Sequence, residues 1–275
     1  MKKADKIPTL VKWAGGKKQL LEQFEPFFPE KIKRYIEPFV GGGAVTFHII
    51  KKYNPKEVII SDINEELINA YHVVKNNVEE LIIALRKYKK EHSKEKYYKT
   101  RDKDPKKLSD IANAARFIYL NKTCFNGLYR VNSKGGFNVP LGSYTNPAIC
   151  AEENLREISK LLKNVDIKSM SFEMVLNLAK KGDFIYFDPP YYPLNRNSFT
   201  TYTKGNFLEN EQKQLVNIFT KLHKKGCFIM QSNSDTSFIK DLYSTYNIRF
   251  VKATRMINSN AAKRGKINEV VITNY

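Results

Sequence analysis

The stretch FIYFDPPYYP, residues 184–193, constrains the fold more than any other part of the chain. Phe184, Ile185, Tyr186 and Phe187 form a short apolar and aromatic run that fits a strand buried on both faces. Pro189 and Pro190 cannot donate to a sheet ladder, so the strand must stop at Asp188. A strand covered on both faces belongs in a mostly parallel α/β sheet, and such sheets bind ligands outside the carboxyl ends of their strands. Asp188 and the tyrosines behind it therefore stand in a position for chemistry.

The rest of the chain supports an α/β fold. A helical pattern at 18–28, a strand at 35–39, a helix at 44–53 and a strand at 57–62 read as the opening of a doubly wound sheet. The alternation resumes after residue 165 with a strand at 165–168, a helix at 172–179, the strand at 184–187, a helix at 209–224, a strand at 227–231 and a helix at 236–244. Strands at 248–254 and 269–273, joined by a basic loop, predict a closing antiparallel hairpin. Between the two halves the alternation disappears. Residues 64–90 and 108–122 read as helical, and 126–144, NGLYRVNSKGGFNVPLGSY, reads as a turn-rich loop or hairpin around Lys134, Gly135 and Gly136.

Charge says what this middle region meets. The 275 residues carry 47 Lys+Arg against 28 Asp+Glu, a net of +19, which suits a polyanion and predicts salt-dependent binding. Residues 86–107 hold eleven basic and four acidic side chains, and the interleaved Tyr88, Tyr97 and Tyr98 suit sugar and base surfaces; a merely solvated face is the alternative. No run approaches the ~18 apolar residues of a membrane span, and the N-terminal MKKADKIPTL has no signal-peptide core, so no membrane association and a cytoplasmic location are expected. Cys124, Cys150 and Cys227 are scattered and have no metal-ligand spacing with the histidines, so reduced thiols and no metal are expected.

EPFVGGGAVTFHI, residues 37–49, puts Gly41, Gly42 and Gly43 in the turn after the first strand, where bare backbone lets a ligand approach closely. About twenty residues on, IISDIN ends the second strand on Asp62, from which a carboxylate can bind ribose hydroxyls. The turn lacks G-x-G-x-x-G, so a nucleoside cofactor without a pyrophosphate fits better than a dinucleotide, and S-adenosylmethionine is the common one.

Six motifs in this order, VKWAGGK (11–17), EPFVGGG (37–43), SDIN (61–64), NGLYRVN (126–132), FNVPLGSY (137–144) and DPPY (188–191), resemble the Dam-type DNA adenine-N6 methyltransferases of the alpha class, over nearly the whole chain. The resemblance implies a Rossmann-like S-adenosylmethionine-dependent methyltransferase fold, with 1–71 and 165–275 as catalytic domain and 72–164 as a helical and hairpin target-recognition domain. It further implies cofactor contacts from Trp13, Lys17, Phe39, Gly41, Gly43, Asp62 and Asp188, with Lys17 facing the methionine carboxylate. Relatives with these signatures read GATC in double-stranded DNA. On that resemblance Lys12 meets the first guanine, Leu128 and Pro140 the thymine methyl, and Arg130 the outer guanine, with Tyr144 a further contact. Phe125 stands where an aromatic wedges into the duplex beside a flipped base, and Asn126 meets the orphaned partner. A cognate restriction endonuclease acting on the same site, without a stable complex, goes with such an enzyme.

The chemistry of DPPY follows from the residues themselves. The adenine N6 lone pair is delocalised into the ring and must be aimed at the methyl donor. Asp188 and the main-chain carbonyl of Pro189 can accept its two hydrogens, and the carboxylate stabilises positive charge as the methyl arrives. Tyr191 can stack on the base, offsetting part of a flipping cost of roughly a few kcal/mol. Polar loops at 193–207 and 259–266, the latter with Lys263, Arg264 and Lys266, could close over the site or grip phosphates. Methylation of RNA or of another DNA sequence, a nucleotide-dependent oxidoreductase and a non-catalytic DNA-binding protein are the rival readings.

Overall fold

A computed structural model describes residues 7–194, 207–254 and 266–275. The loops at 193–207 and 259–266 thus fall almost wholly outside the described residues. A 3-10 turn at Lys17–Leu20, a single helical turn α1 (Leu21–Phe24) and a second 3-10 turn at Glu25–Phe27 replace the one helix expected over 18–28. Pro26 cannot supply the N–H that a continuous helix would need there. Strand β1 (Arg34–Glu37) stops two residues short of its expected end, because Pro38 cannot donate to the ladder.

Helix α2 (Ala44–Tyr53) and strand β2 (Glu57–Asp62) follow as expected. The expected helix at 64–90 divides into α3 (Glu65–Asn76) and α4 (Val78–Lys90), because Asn77, at φ −136° and ψ 42°, leaves the helical region. Helix α5 (Lys94–Arg101) forms within the charged run, its first turn capped by Ser93, whose hydroxyl accepts from Lys96 N at 3.1 Å. Helix α6 (Asp110–Thr123) is capped likewise by Ser109. Helix α7 (Glu152–Leu162) was not among the expected elements, although its buried Leu155, Ile158 and Leu162 have helical spacing.

The second half comprises β3 (Val165–Ser169), α8 (Val175–Leu178) behind a 3-10 turn, β4 (Phe184–Phe187), α9 (Glu209–Lys224), β5 (Phe228–Ser234), α10 (Ser237–Leu242), β6 (Asn247–Thr254) and β7 (Lys266–Thr273). The sheet order is β3-β2-β1-β4-β5-β7-β6, parallel except for β7, which runs antiparallel to both β5 and β6. This is the expected mostly parallel sheet with a C-terminal antiparallel hairpin.

The period-two alternation of β4 sorts its side chains between two cores. Phe184 and Tyr186 join one cluster with Tyr35 of β1, and Ile185 and Phe187 join the other with Phe219 of α9 and Tyr243. All four are buried, each contributing on the order of 2 kcal/mol of apolar stabilisation. The first cluster continues without a break through Leu81, Tyr97 and Phe117 to Phe137 and Val139 of the hairpin region, so the middle helices share a core with the sheet.

The outer edge of β6 is closed by side chains. Gln23 exchanges two hydrogen bonds with the backbone of Lys252 (2.9 and 3.0 Å), and Gln19 does the same with Thr254 (3.1 and 3.2 Å). Two amides thereby stand in for a neighbouring strand and tie the segment following Lys17 to the sheet.

Candidate active site

The strand order reverses between β1 and β4, which places a crevice at their adjoining carboxyl ends. The glycine turn borders it from β1 and the DPPY segment from β4. Asp188 lies at this mouth with its two oxygens in different surroundings. Lys17 Nζ is 2.8 Å from Oδ1, and Ser232 Oγ on β5 donates to the same Oδ1 at 2.9 Å. Among the described residues, none donates to Oδ2 or to the main-chain carbonyl of Pro189. Burial pushes the Asp188 carboxyl above its ordinary value, while the Lys17 ammonium and the Ser232 hydroxyl pull it back.

The segment after Asp188 is held by β5 and α9. Buried Gln212 donates to the Pro190 carbonyl (3.1 Å) and accepts from Asn233 Nδ2 (3.0 Å); Asn233 Oδ1 accepts from Tyr192 N (3.2 Å), and Ser234 Oγ donates to the Tyr192 carbonyl (2.6 Å). The Tyr191 hydroxyl donates to Glu269 Oε2 at 2.8 Å, and Lys17 Nζ lies 4.6 Å from its ring centroid. Burial, and then the charges of Asp188 and Glu269, hold the Tyr191 hydroxyl well above its ordinary range, so it remains a neutral donor.

Behind the glycine turn lies Glu37, 2% exposed, which no sequence motif reading had singled out. Its Oε2 accepts from the hydroxyls of Tyr35 (2.8 Å) and Thr46. Burial pushes this carboxyl up to about 8, with Asp188 adding to the effect, so it is mostly protonated at neutral pH. Gly43 is required for packing: a Cβ there would lie 2.6 Å from both Phe47 Cε2 and Tyr71 OH, at a φ of +78°.

The crevice suits a nucleoside that carries no phosphate. Asp62, nearly buried, accepts one main-chain N–H on each oxygen, from Asn64 at 3.0 Å and Gly41 at 3.3 Å, leaving a lone pair on each for a vicinal diol. Desolvation raises its carboxyl to about 6. Next to it Ile63, 77% exposed, offers an apolar side chain that the sequence reading had passed over. A Cβ on Gly41 would strike the Trp13 ring at 2.7 Å, so that ring packs directly against the turn; it stacks with Tyr129, centroids 5.9 Å apart at 25°. Phe39 stacks on Phe172, centroids 5.3 Å apart.

A second cluster forms where the N-terminal segment meets the 121–144 region. Asn121 Oδ1 accepts from Lys12 N (2.9 Å), and its Nδ2 donates to the carbonyls of Lys12 (2.7 Å) and Gly127 (3.1 Å). Lys12 Nζ sits 3.8 Å over the Tyr144 ring. Phe125 N donates to the Pro140 carbonyl at 2.9 Å, and two isolated bridges, Cys124 with Leu141 and Val131 with Phe137, make the 126–144 region a hairpin. Lys12, Phe125, Asn126 and Pro140 are exposed here and Tyr144 is half-buried, with Phe125 half in solvent and Asn126 at a φ of +55°. Leu128 differs: its side chain is 9% exposed, within the apolar core. Arg130 is aimed by Asn138, which accepts from its Nε at 2.7 Å and its Nη2 at 3.3 Å. The single-sequence reading carried no signal for Asn121, Asn138 or Ser232, because nothing local reveals which distant group a short polar side chain will meet.

A seven-stranded, mostly parallel sheet with β7 inserted antiparallel between β5 and β6, and with a bare glycine turn and a carboxylate at its switch point, fits the Rossmann-like S-adenosylmethionine-dependent methyltransferases as the class. Within that class the chain belongs to the D12 class N6 adenine-specific DNA methyltransferases, whose family model matches residues 13–257. It is 49% identical over 287 residues to the type II methyltransferase M.MjaIII of Methanocaldococcus jannaschii, covering 98% of this chain and 99% of that one. It is 45% identical over 276 residues to the type II methyltransferase M1.LlaDCHI of Lactococcus lactis subsp. cremoris (98% and 96% covered), and 33% identical over 267 residues to the DNA adenine methylase of Escherichia coli K12 (96% and 94%). The enzyme is therefore an adenine-specific DNA methyltransferase with S-adenosylmethionine as its methyl donor. Among the described residues no helix is long and apolar enough to cross a membrane.

Proposed function

We propose that the enzyme methylates N6 of adenine in GATC within duplex DNA, acting on a base flipped out of the stack. The convergence of Lys12, Phe125, Asn126, Arg130, Pro140 and Tyr144, clamped by Asn121, carries the site preference. On this reading Lys12 and Arg130 donate to guanine O6 and N7, and the exposed Pro140, with Leu128 behind it, packs on the thymine methyl. Phe125 wedges into the gap beside the extruded base and Asn126 meets its partner. Residues 72–164 act as the recognition unit and 1–71 with 165–275 as the catalytic unit.

The bound donor supplies an electrophilic methyl group. Trp13, Phe39, Gly41 and Gly43 shape the crevice for it, and Asp62 accepts from its ribose hydroxyls. Asp188 Oδ2 and the Pro189 carbonyl, the two acceptors left uncommitted, take the hydrogens of N6 and turn its lone pair toward the methyl. Lys17 favours the ionised form of Asp188 against the effect of burial, and that carboxylate meets the positive charge developing on N6. Lys17, bound to Asp188 through one of its three donors, also faces the methionine carboxylate of the donor on this reading. Tyr191 stacks on the extruded adenine.

The type II designation of the M. jannaschii and L. lactis relatives supports a protective role opposite a restriction endonuclease in the cytoplasm. Incorporation of labelled methyl into GATC and GTTC duplexes tests the site: transfer only to GATC is expected, and equal transfer would overturn the assignment. Asp188→Ala should abolish transfer while leaving the melting curve cooperative.

A further inference from the structure

Ser232 lies on β5, fully buried, outside DPPY and outside both cofactor segments. Its hydroxyl donates to Asp188 Oδ1 at 2.9 Å and is 2.8 Å from the Tyr186 hydroxyl. A serine has one hydroxyl proton, and an ionised carboxylate can only accept. The proton of Ser232 is thus committed to Asp188, and the remaining contact must run from Tyr186 OH to Ser232 Oγ. Tyr186, fully buried on β4, completes a one-way chain of donors that ends on a single carboxylate oxygen.

We propose that Ser232 is a positioning residue for methyl transfer: together with Lys17 it saturates Oδ1 of Asp188 and so fixes Oδ2 as the oxygen that receives the target amino hydrogen. The torsion about a carboxyl group is soft, and one ammonium can follow it as it turns. Two donors from separate parts of the fold, the N-terminal turn and β5, define the carboxylate plane. This rests on the reading above, in which Asp188 accepts from N6. The charged and titratable groups facing Asp188 are Lys17 from the N-terminal segment, Glu37 from β1, Tyr186 from β4, Tyr191 from the following loop and, through Tyr191, Glu269 from β7. Of these only Lys17, with Ser232, favours the ionised form.

The test compares wild type, Ser232→Ala and Ser232→Thr. Ser232→Ala is expected to lower kcat by roughly tenfold to a hundredfold, the weight of one hydrogen bond to a charged group, with DNA and cofactor dissociation constants unchanged. The acid limb of its kcat profile should move to higher pH. In cofactor-free protein the carbon-13 resonance of the Asp188 carboxyl should titrate higher by the same amount, and Ser232→Thr, which keeps the hydroxyl, should restore both. An unchanged kcat and acid limb in Ser232→Ala overturns the proposal. So does a lower kcat with an unmoved acid limb and an unmoved Asp188 titration, which is the mark of a merely structural serine. If wild type itself transfers no methyl to adenine N6, the underlying reading fails instead, whereas an active wild type matched by Ser232→Ala removes only the role of Ser232.

Discussion

Lys17 Nζ and Asp188 Oδ1 lie 2.8 Å apart with side chains 4% and 20% exposed, so the charge at the end of β4 is compensated from the far end of the chain. Breaking a buried pair by removing one partner leaves an uncompensated charge, which costs about 3–5 kcal/mol. Lys17→Met should therefore lose most methyl transfer and melt lower at pH 8. Burial already raises Asp188 and Lys17 opposes this, so the variant's carboxyl titrates higher still. At pH 5 protonation relieves the stranded charge, and the gap in Tm from wild type should narrow. An equal gap at both pH values would contradict the pairing.

Glu37 predicts a pH dependence of stability that can be isolated. Its carboxyl is raised from an ordinary 4.5 to about 8, so between those values the folded state binds more protons than the unfolded chain. Stability from this group is then greatest at low pH and falls as pH rises toward 8. Glu37→Gln, neutral at every pH, should match wild type near pH 4.5 and melt higher near pH 8. Thermal melts across that window decide it; parallel curves would be the contrary result.

Tyr191 separates ring from hydroxyl. Its hydroxyl donates to Glu269 at 2.8 Å, so its proton is not offered to Asp188. Tyr191→Phe should keep kcat within a few-fold, whereas Tyr191→Ala should lose roughly 1–3 kcal/mol of stacking on the extruded base. Fluorescence of 2-aminopurine at the target position would report the flipped population in each variant.

Asn121 clamps the segment bearing Lys12 to the loop bearing Phe125 and Leu128. Asn121→Ala leaves the buried carbonyl of Gly127 and the partly buried main-chain groups of Lys12 unpartnered, for a loss of about 1–3 kcal/mol in stability. Its discrimination between GATC and single-mismatch duplexes should fall with it. Arg130→Ala should relax only the outer guanine, by about 1–3 kcal/mol, with stability unchanged. Competition methylation with substituted duplexes separates the two patterns.

Much of the fold was legible because its signals are local. FIYF followed by two prolines could only be a strand that stops at Asp188, and it is one, buried throughout. The departures from expectation also have local causes: Pro38 ends β1 at Glu37, and Asn77 breaks the 64–90 helix. Helix α5 was masked by charge, since a solvated face and a capped helix have the same composition.

By itself the sequence determined the element types, the two strand ends that bear Asp62 and Asp188, the glycine turn between β1 and α2, and the order of the motifs. Each of these depends on a few neighbouring residues: β-branched and aromatic runs, a proline without an N–H, a glycine at positive φ. Only the tertiary structure decided that β1 and β4 are neighbours, that Lys17 and Ser232 converge on one oxygen of Asp188, and that Asn121 joins Lys12 to the recognition loop. Those contacts depend on strand order and on the approach of side chains far apart in the chain, and hydrophobic periodicity fixes which face of an element is buried without fixing what lies opposite it.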